Sequence, residues 1–149
     1  MVAALGRELH KLTARLDRAA DELLRSDEGI SYARFLALFA VSQTNGTQRE
    51  LAQWLGQSEP STSRMVGVLA DEGLLEVSRS NGAGNRRRLH LTAKGDELVG
   101  RCSRLLEGRF EKLVRDSGVP YDAYQRHTSR LLAHLDSYGF GRADMEGIA

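Results

Sequence analysis

Ser58-Glu59-Pro60-Ser61-Thr62-Ser63-Arg64-Met65-Val66 is the stretch on which the reading of this chain turns. Ser58 stands where a helix N-cap is expected, because its hydroxyl can accept from amides two and three residues on. Pro60 is tolerated only in a first helical turn, and Glu59 suits the positive end of the helix dipole. Thr62, Met65, Val66 and Leu69 recur at i, i+3, i+4 and i+7, which makes them an inward stripe. Pro60, Ser61, Arg64 and Gly67 then project to the other side. An arginine among small hydroxyl residues near a helix start suits the DNA major groove: its fork fits guanine, and small neighbours let the backbone approach. Taken alone, the stretch reads more readily as a capped surface helix with a solvated arginine.

Its flanks narrow the choice. Upstream, Thr47-Gln48-Arg49-Glu50 has capping-box spacing, so Thr47 and Glu50 can each satisfy an orphan amide of a short helix. That helix carries Leu51, Ala52 and Leu55 and stops at Gly56; followed by a second capped helix, it makes a helix-turn-helix. Thr47 and Gln48 are its candidates for the DNA backbone. Downstream, Gly73 terminates the second helix and Leu74 to Val77 begin an extended run. Asn81 to Asn85 form a Gly-rich loop whose composition suggests mobility, and Arg86 to Leu91 return. Arg79, Asn85, Arg86, Arg87 and Arg88 flank the tip of this hairpin. Such a cluster suits phosphates and a narrow minor groove, since bound arginines displace condensed counterions.

The 149 residues, 41% hydrophobic and 28% charged, have the composition of one soluble domain with a real core. No apolar run approaches membrane length and no signal-peptide pattern is present, so no membrane partner is expected. The single cysteine, Cys102, excludes an internal disulfide framework and fits a reducing cytoplasm. Net charge is only +1. Its distribution says more: from Gly46 to Gly95, 7 Lys or Arg face 5 acids, against 14 and 15 elsewhere.

A first helix is expected from about Ala3 to Ser26, with Leu5, Leu9, Leu12, Leu16 and Leu23 in a heptad-like stripe that wants another helix. Ser31 caps a second whose Phe35, Leu36, Leu38, Phe39 and Val41 exceed one amphipathic face, so it reads as a central core helix. Trp54 reads as a core or near-core aromatic. Thr92 caps a long helix to about Asp116, Ser117-Gly118-Val119-Pro120 breaks it, and a last helix from about Tyr121 to Tyr138 aligns Tyr124, Leu131, Leu132, Leu135 and Tyr138. These terminal stripes exceed what a small lobe needs. A homodimer using Leu5, Leu9, Leu12, Leu16, Leu131, Leu135 and Tyr138 accounts for them economically; a monomer with an extended helical core is the rival.

The ordered set Leu55 to Val66, Leu69, Gly73-Leu74-Leu75 and Leu91-Thr92-Ala93-Lys94-Gly95 resembles the winged helix-turn-helix of the MarR family of bacterial regulators. Ile30 to Phe35 and the Val119-Pro120 helix start fit the same order. The resemblance implies a mainly α fold with a small β-hairpin wing and N- and C-terminal dimerisation helices. A single domain over residues 1–138 would hold the winged lobe at about 30–95, the dimerisation helices at about 3–26 and 93–138, and leave 142–149 as a flexible tail. It also implies a homodimer on double-stranded DNA, a repressor role, and a small aromatic or phenolic ligand in the cleft between dimer helices and DNA-binding lobe. Two-fold symmetry would space the recognition helices roughly 34 Å apart and predict a pseudopalindromic site.

The wing departs from the family pattern. A family-like Asp-x-Arg at its usual distance before Leu91-Thr92 is replaced by Ala83, Gly84 and Asn85, with three arginines beginning one residue later. Either the hairpin is re-registered so that Arg86 serves the minor groove, or contact is made differently. Cys102 lies among apolar residues and reads as packing rather than a redox sensor. His10, His90, His127 and His134 are dispersed; His127 and His134 share a helical face but lie two turns apart, so no metal or other cofactor is expected. No nucleophile–base set, paired-carboxylate signature or phosphate-binding glycine loop points to an enzyme. The expectation is a sequence-specific transcription regulator, with a winged-helix protein-interaction module as the alternative.

Overall fold

Helix capping explains most element boundaries in the computed structural model, which describes residues 2–44, 46–79 and 87–138. The order is α1 (Val2–Asp27), α2 (Tyr32–Thr44), α3 (Gln48–Leu55), α4 (Glu59–Asp71), β1 (Leu75–Arg79), β2 (Arg87–Leu91), α5 (Ala93–Asp116) and α6 (Tyr121–Tyr138). Among the described residues, six helices and one antiparallel two-stranded hairpin make it mostly helical, as expected. Two compact units, Met1–Leu106 and Glu107–Ala149, divide α5 between them.

In the first unit, the capping box at α3 is complete: Glu50 N–H donates to Thr47 Oγ1 at 3.3 Å and Thr47 N–H to Glu50 Oε2 at 2.6 Å. The helix closes at Gly56, whose φ of 63° is left-handed, with Gln57 N–H reaching back to the Ala52 carbonyl at 3.0 Å. In α4, Ser58 Oγ accepts from Ser61 N–H at 3.3 Å and Pro60 occupies the first turn. Thr62 is fully buried, which its hydroxyl tolerates by donating to the Ser58 carbonyl at 3.0 Å. Ser31 and Thr92 cap α2 and α5 through the Arg34 and Gly95 amides at 3.2 and 3.0 Å.

The core lies between α2, α4, the hairpin and the first half of α5. Leu38, Leu51, Leu69, Leu75, Leu89 and Cys102 are its fully buried centre, with Leu24 joining from the end of α1. Burying each such leucine is worth roughly 1.5–3 kcal/mol. A string of rings runs along α2 to α3: Tyr32 on Phe35 at 6.1 Å, Phe35 on Phe39 at 5.9 Å, and Phe39 on Trp54 at 6.3 Å between centroids. Trp54 is nevertheless 46% exposed, which corrects its expected place in the core. The residue meets the Phe39 ring at a tilt of 56° and leaves the rest of its surface at the rim, because the short α3 offers no second layer over it.

A second junction fixes the hairpin to α5. Thr92 Oγ1 donates to the Gly73 carbonyl at 2.7 Å, Thr92 N–H to the Leu74 carbonyl at 3.2 Å, and Lys94 Nζ to the Glu72 carbonyl at 3.0 Å. Gly95 packs directly on the Leu74 backbone, where a Cβ has no room. Arg34 on α2 adds an ion pair to Glu72 at the end of α4, 2.8 Å long.

The stripe on α1 is uncovered over its first half: Leu5 is 61% exposed, and Leu9 and Leu12 are exposed too, whereas Leu16 is half-buried. In the second unit, Gly118, with φ 78°, and Ser117 turn the chain, and Arg115 lies 5.6 Å over the Tyr121 ring while pairing with Glu111. Leu131, Leu132 and Leu135 on α6 are exposed; the Tyr138 side chain and the expected tail at 142–149 lie outside the described residues. No described helix is long and apolar enough to cross a membrane.

Candidate nucleic-acid interface

The residues of α4 divide by helical angle. Thr62, Val66 and Leu69 are buried against the core, so Pro60, Arg64 and Gly67 face outward and are exposed. Ser58 and Ser63 are exposed as well, and Ser61 is half-buried. Arg64 Nη2 donates to Ser61 Oγ at 3.2 Å, one turn earlier. That bond holds the guanidinium near the helix N-terminus, where a recognition helix meets base edges. Among the described residues Arg64 forms no ion pair, so its charge is available.

The hairpin register pairs Leu75 with Leu91, Val77 with Leu89, Ser78 with Arg88 and Arg79 with Arg87. Because side chains alternate along a strand, Arg79 and Arg87 share the face that carries Leu75 and Leu89, and Arg88 leaves the other face with Ser78. The wing arginines therefore do not act as one patch. Arg79 and Arg87 oppose each other directly with no acid paired to either among the described residues, an arrangement that works against hairpin stability. Asn85 and Arg86, the remaining wing candidates, lie outside the described residues.

Thr47 and Gln48 stand beside Arg87 as a consequence of backbone pairing: Leu89 N–H donates to the Gly46 carbonyl at 3.0 Å and Thr47 bridges Arg88. They line a concavity of about 450 Å³ with Arg49, Glu50, Gln53, Glu59 and Arg87. Arg49, Gln53 and Glu59 went unremarked as site candidates in the sequence; the i, i+4 spacing of Arg49 and Gln53 on α3 was the available signal. A second concavity, about 540 Å³, lies on the other flank of α4 and is lined by Arg34, Gln57, Ser58, Ser61, Arg64, Met65 and Val68. Arg34 arrives there from α2, a relation sequence spacing cannot reveal.

Cys102 is fully buried, and burial, then the nearby Glu28 carboxylate, push its thiol up to about 11. It is a packed, protonated thiol at neutral pH. Among the described residues no three His, Cys, Asp or Glu side chains converge as metal ligands.

Residues 28–86 match a family model described as MarR family. The whole fold is that of MarR-family winged-helix structures. One is a cysteine-to-serine variant of MarR from E. coli complexed with operator DNA, 22% identical over 90% of this chain and 95% of that one, TM-score 0.73. A MarR family protein from Bacillus stearothermophilus is 19% identical over 91% and 95%, TM-score 0.78. A MarR family transcriptional regulator from Silicibacter pomeroyi DSS is 25% identical over 91% and 89%, TM-score 0.76. No curated protein matches the chain significantly.

Proposed function

From the match of residues 28–86 to a MarR-family model, we propose that this chain is a sequence-specific DNA-binding transcription regulator. The observation that carries the reading is the combination of an exposed Arg64 on α4 with the directly opposed Arg79 and Arg87 of the wing, none of which forms an ion pair among the described residues. Exposed cations without ion-pair partners among the described residues, carried on one lobe, suit a polyanion.

In this reading Ser58, Pro60, Ser61, Ser63 and Arg64 enter the major groove and Arg64 discriminates between bases. Thr47 and Gln48 hold the backbone at the mouth of the α3 concavity. Arg79 and Arg87 take phosphates or the adjacent minor groove, with Asn85, Arg86 and Arg88 contributing from the rest of the wing. The protein acts as a cytoplasmic homodimer, covering the exposed leucines of α1 (Leu5, Leu9, Leu12) and of α6 (Leu131, Leu135), with Leu16 and Tyr138 completing the interface. It occupies a pseudopalindromic operator as a repressor, relieved by a small aromatic or phenolic ligand. The buried Cys102 thiol favours such a ligand over oxidation as the signal.

Fluorescence anisotropy on DNA from upstream of the gene, titrated in salt, tests this. Wild type should bind with a steep salt slope. Arg64→Ala should lose preference over random DNA by about 1–3 kcal/mol at one base pair, and Arg87→Ala should weaken both DNAs alike. Weak binding that is insensitive to salt and to both substitutions would refute DNA reading and favour a protein-interaction module.

A further inference from the structure

The outer surface of α4 is not uniformly polar. Ser61, Met65 and Val68 recur at i, i+4 and i+7 on the flank toward Arg34, and Val68 is 39% exposed. Scattered exposed valines are ordinary, but this one lies in the same concavity as the partly buried Met65 and the guanidinium of Arg64. The apolar floor is thus flanked by Arg64, tethered to Ser61 and without an ion pair among the described residues, and by Arg34, ion-paired with Glu72 at 2.8 Å.

Resting on the regulator reading above, we propose that Val68 and Met65 recognise the 5-methyl group of thymine beside the base taken by Arg64. Two properties select this occupant. The Arg64 guanidinium at the floor's edge suits the negative potential of duplex DNA, and the surface is continuous with the Arg64 face already assigned to the major groove. A bare phosphate would leave the floor without a partner. A thymine edge presents a methyl together with an O4 acceptor, and a neighbouring guanine presents the O6 and N7 acceptors that an arginine forks onto. The reach is adequate: seven residues of helix from Ser61 to Val68 span roughly 10 Å, about three base-pair steps. Ser61 acts here as a positioning residue, holding Arg64 aside from the floor so that both contacts form together. The half-site should therefore contain thymine close to guanine.

Deoxyuridine in place of thymine removes only the methyl and keeps base pairing and O4, so it isolates the contact. Duplexes from upstream of the gene, with thymines replaced one at a time, would be titrated with wild type, Val68→Ala and Val77→Ala. Val77 is an equally exposed valine off the recognition helix. Wild type should weaken about fourfold for each buried methyl lost, at one or two positions per half-site. Val68→Ala should bind the thymine duplex more weakly by a similar factor and lose most of its sensitivity to deoxyuridine, the remainder coming from Met65, whereas Val77→Ala should keep the wild-type sensitivity. Sequence-specific binding that ignores every deoxyuridine would overturn the methyl contact and leave the regulator reading intact. Full sensitivity retained by Val68→Ala would overturn its assignment to Val68. If deoxyuridine has no effect while benzoate releases DNA from wild type but not from Val68→Ala, the flank is a small-carboxylate site instead. Absence of any preference over random DNA overturns both readings, and is seen separately on the unmodified duplex.

Discussion

Replacing Gly95 by alanine should destabilise the protein, although the same change is favourable in most helices. Gly95 is buried in the first turn of α5, against the start of the hairpin. A Cβ there would overlap the Leu74 carbonyl oxygen and stand 2.9 Å from its carbonyl carbon and 3.4 Å from its Cα. The obstruction is backbone, and it is held: the Leu74 carbonyl accepts from Thr92 N–H, and Thr92 Oγ1 is bonded to the Gly73 carbonyl. No rotamer change relieves the overlap, so α5 and the wing must separate. Overpacking of this kind costs about 1–3 kcal/mol, against a helix-propensity gain of at most ~1 kcal/mol. The net expectation is a loss of about 1–2 kcal/mol. Gly108, on the same helix, has nothing within 4 Å of its virtual Cβ, so Gly108→Ala should instead gain roughly 0.5–1 kcal/mol. Urea unfolding of the two variants beside wild type measures both signs. Equal stabilisation by the two substitutions would show that the α5–Leu74 contact yields freely, and the account of how the wing is anchored would be wrong.

Other outcomes follow from the interface and core. Arg87→Ala removes one of two opposed cations, so it should raise thermal stability by roughly 0.2–1 kcal/mol while flattening the salt dependence of DNA binding by about one counterion; a loss of stability would mean the pair is not repulsive. Thr47→Ala should cost about 1 kcal/mol by opening the capping box, and Thr47→Ser should recover most of it in the same denaturation assay. Cys102 should ignore a thiol reagent at pH 8 in the native protein and react fully in denaturant, since its thiol is raised to about 11. The sign for stability follows. With a folded pKa above the ordinary value of 9.0, the neutral thiol is favoured on folding, so its contribution is intact below about pH 9 and fades toward pH 11. Prompt native labelling would contradict the burial.

What could be read from the chain beforehand was local. Ser58, Ser31, Thr92 and the Thr47–Glu50 box mark helix starts by hydrogen bonds spanning three residues, and all are present; Pro60 and the turn at Gly118 are equally local signals. What escaped depends on contacts distant in sequence. Arg87 and Arg88 look like one basic patch until the strand register sends them to opposite faces. Arg34 joins the α4 flank through Glu72, 38 residues away, and the need for glycine at Gly95 is visible only once Leu74 lies against it. Trp54 misled because apolar character does not say whether a second layer exists to cover it.

The half-covered Trp54 is the chain's only tryptophan, and this gives the protein an intrinsic optical probe with a single origin. Its ring touches Phe39 on one side and solvent on the other. Emission wavelength and acrylamide quenching therefore report the α2–α3 contact alone, free of signal from the wing or from α6. A ligand or duplex that shifts this emission has either covered the exposed side of Trp54 or altered the α2–α3 contact beneath it. One that binds without shifting it has left the α2–α3 contact as it was.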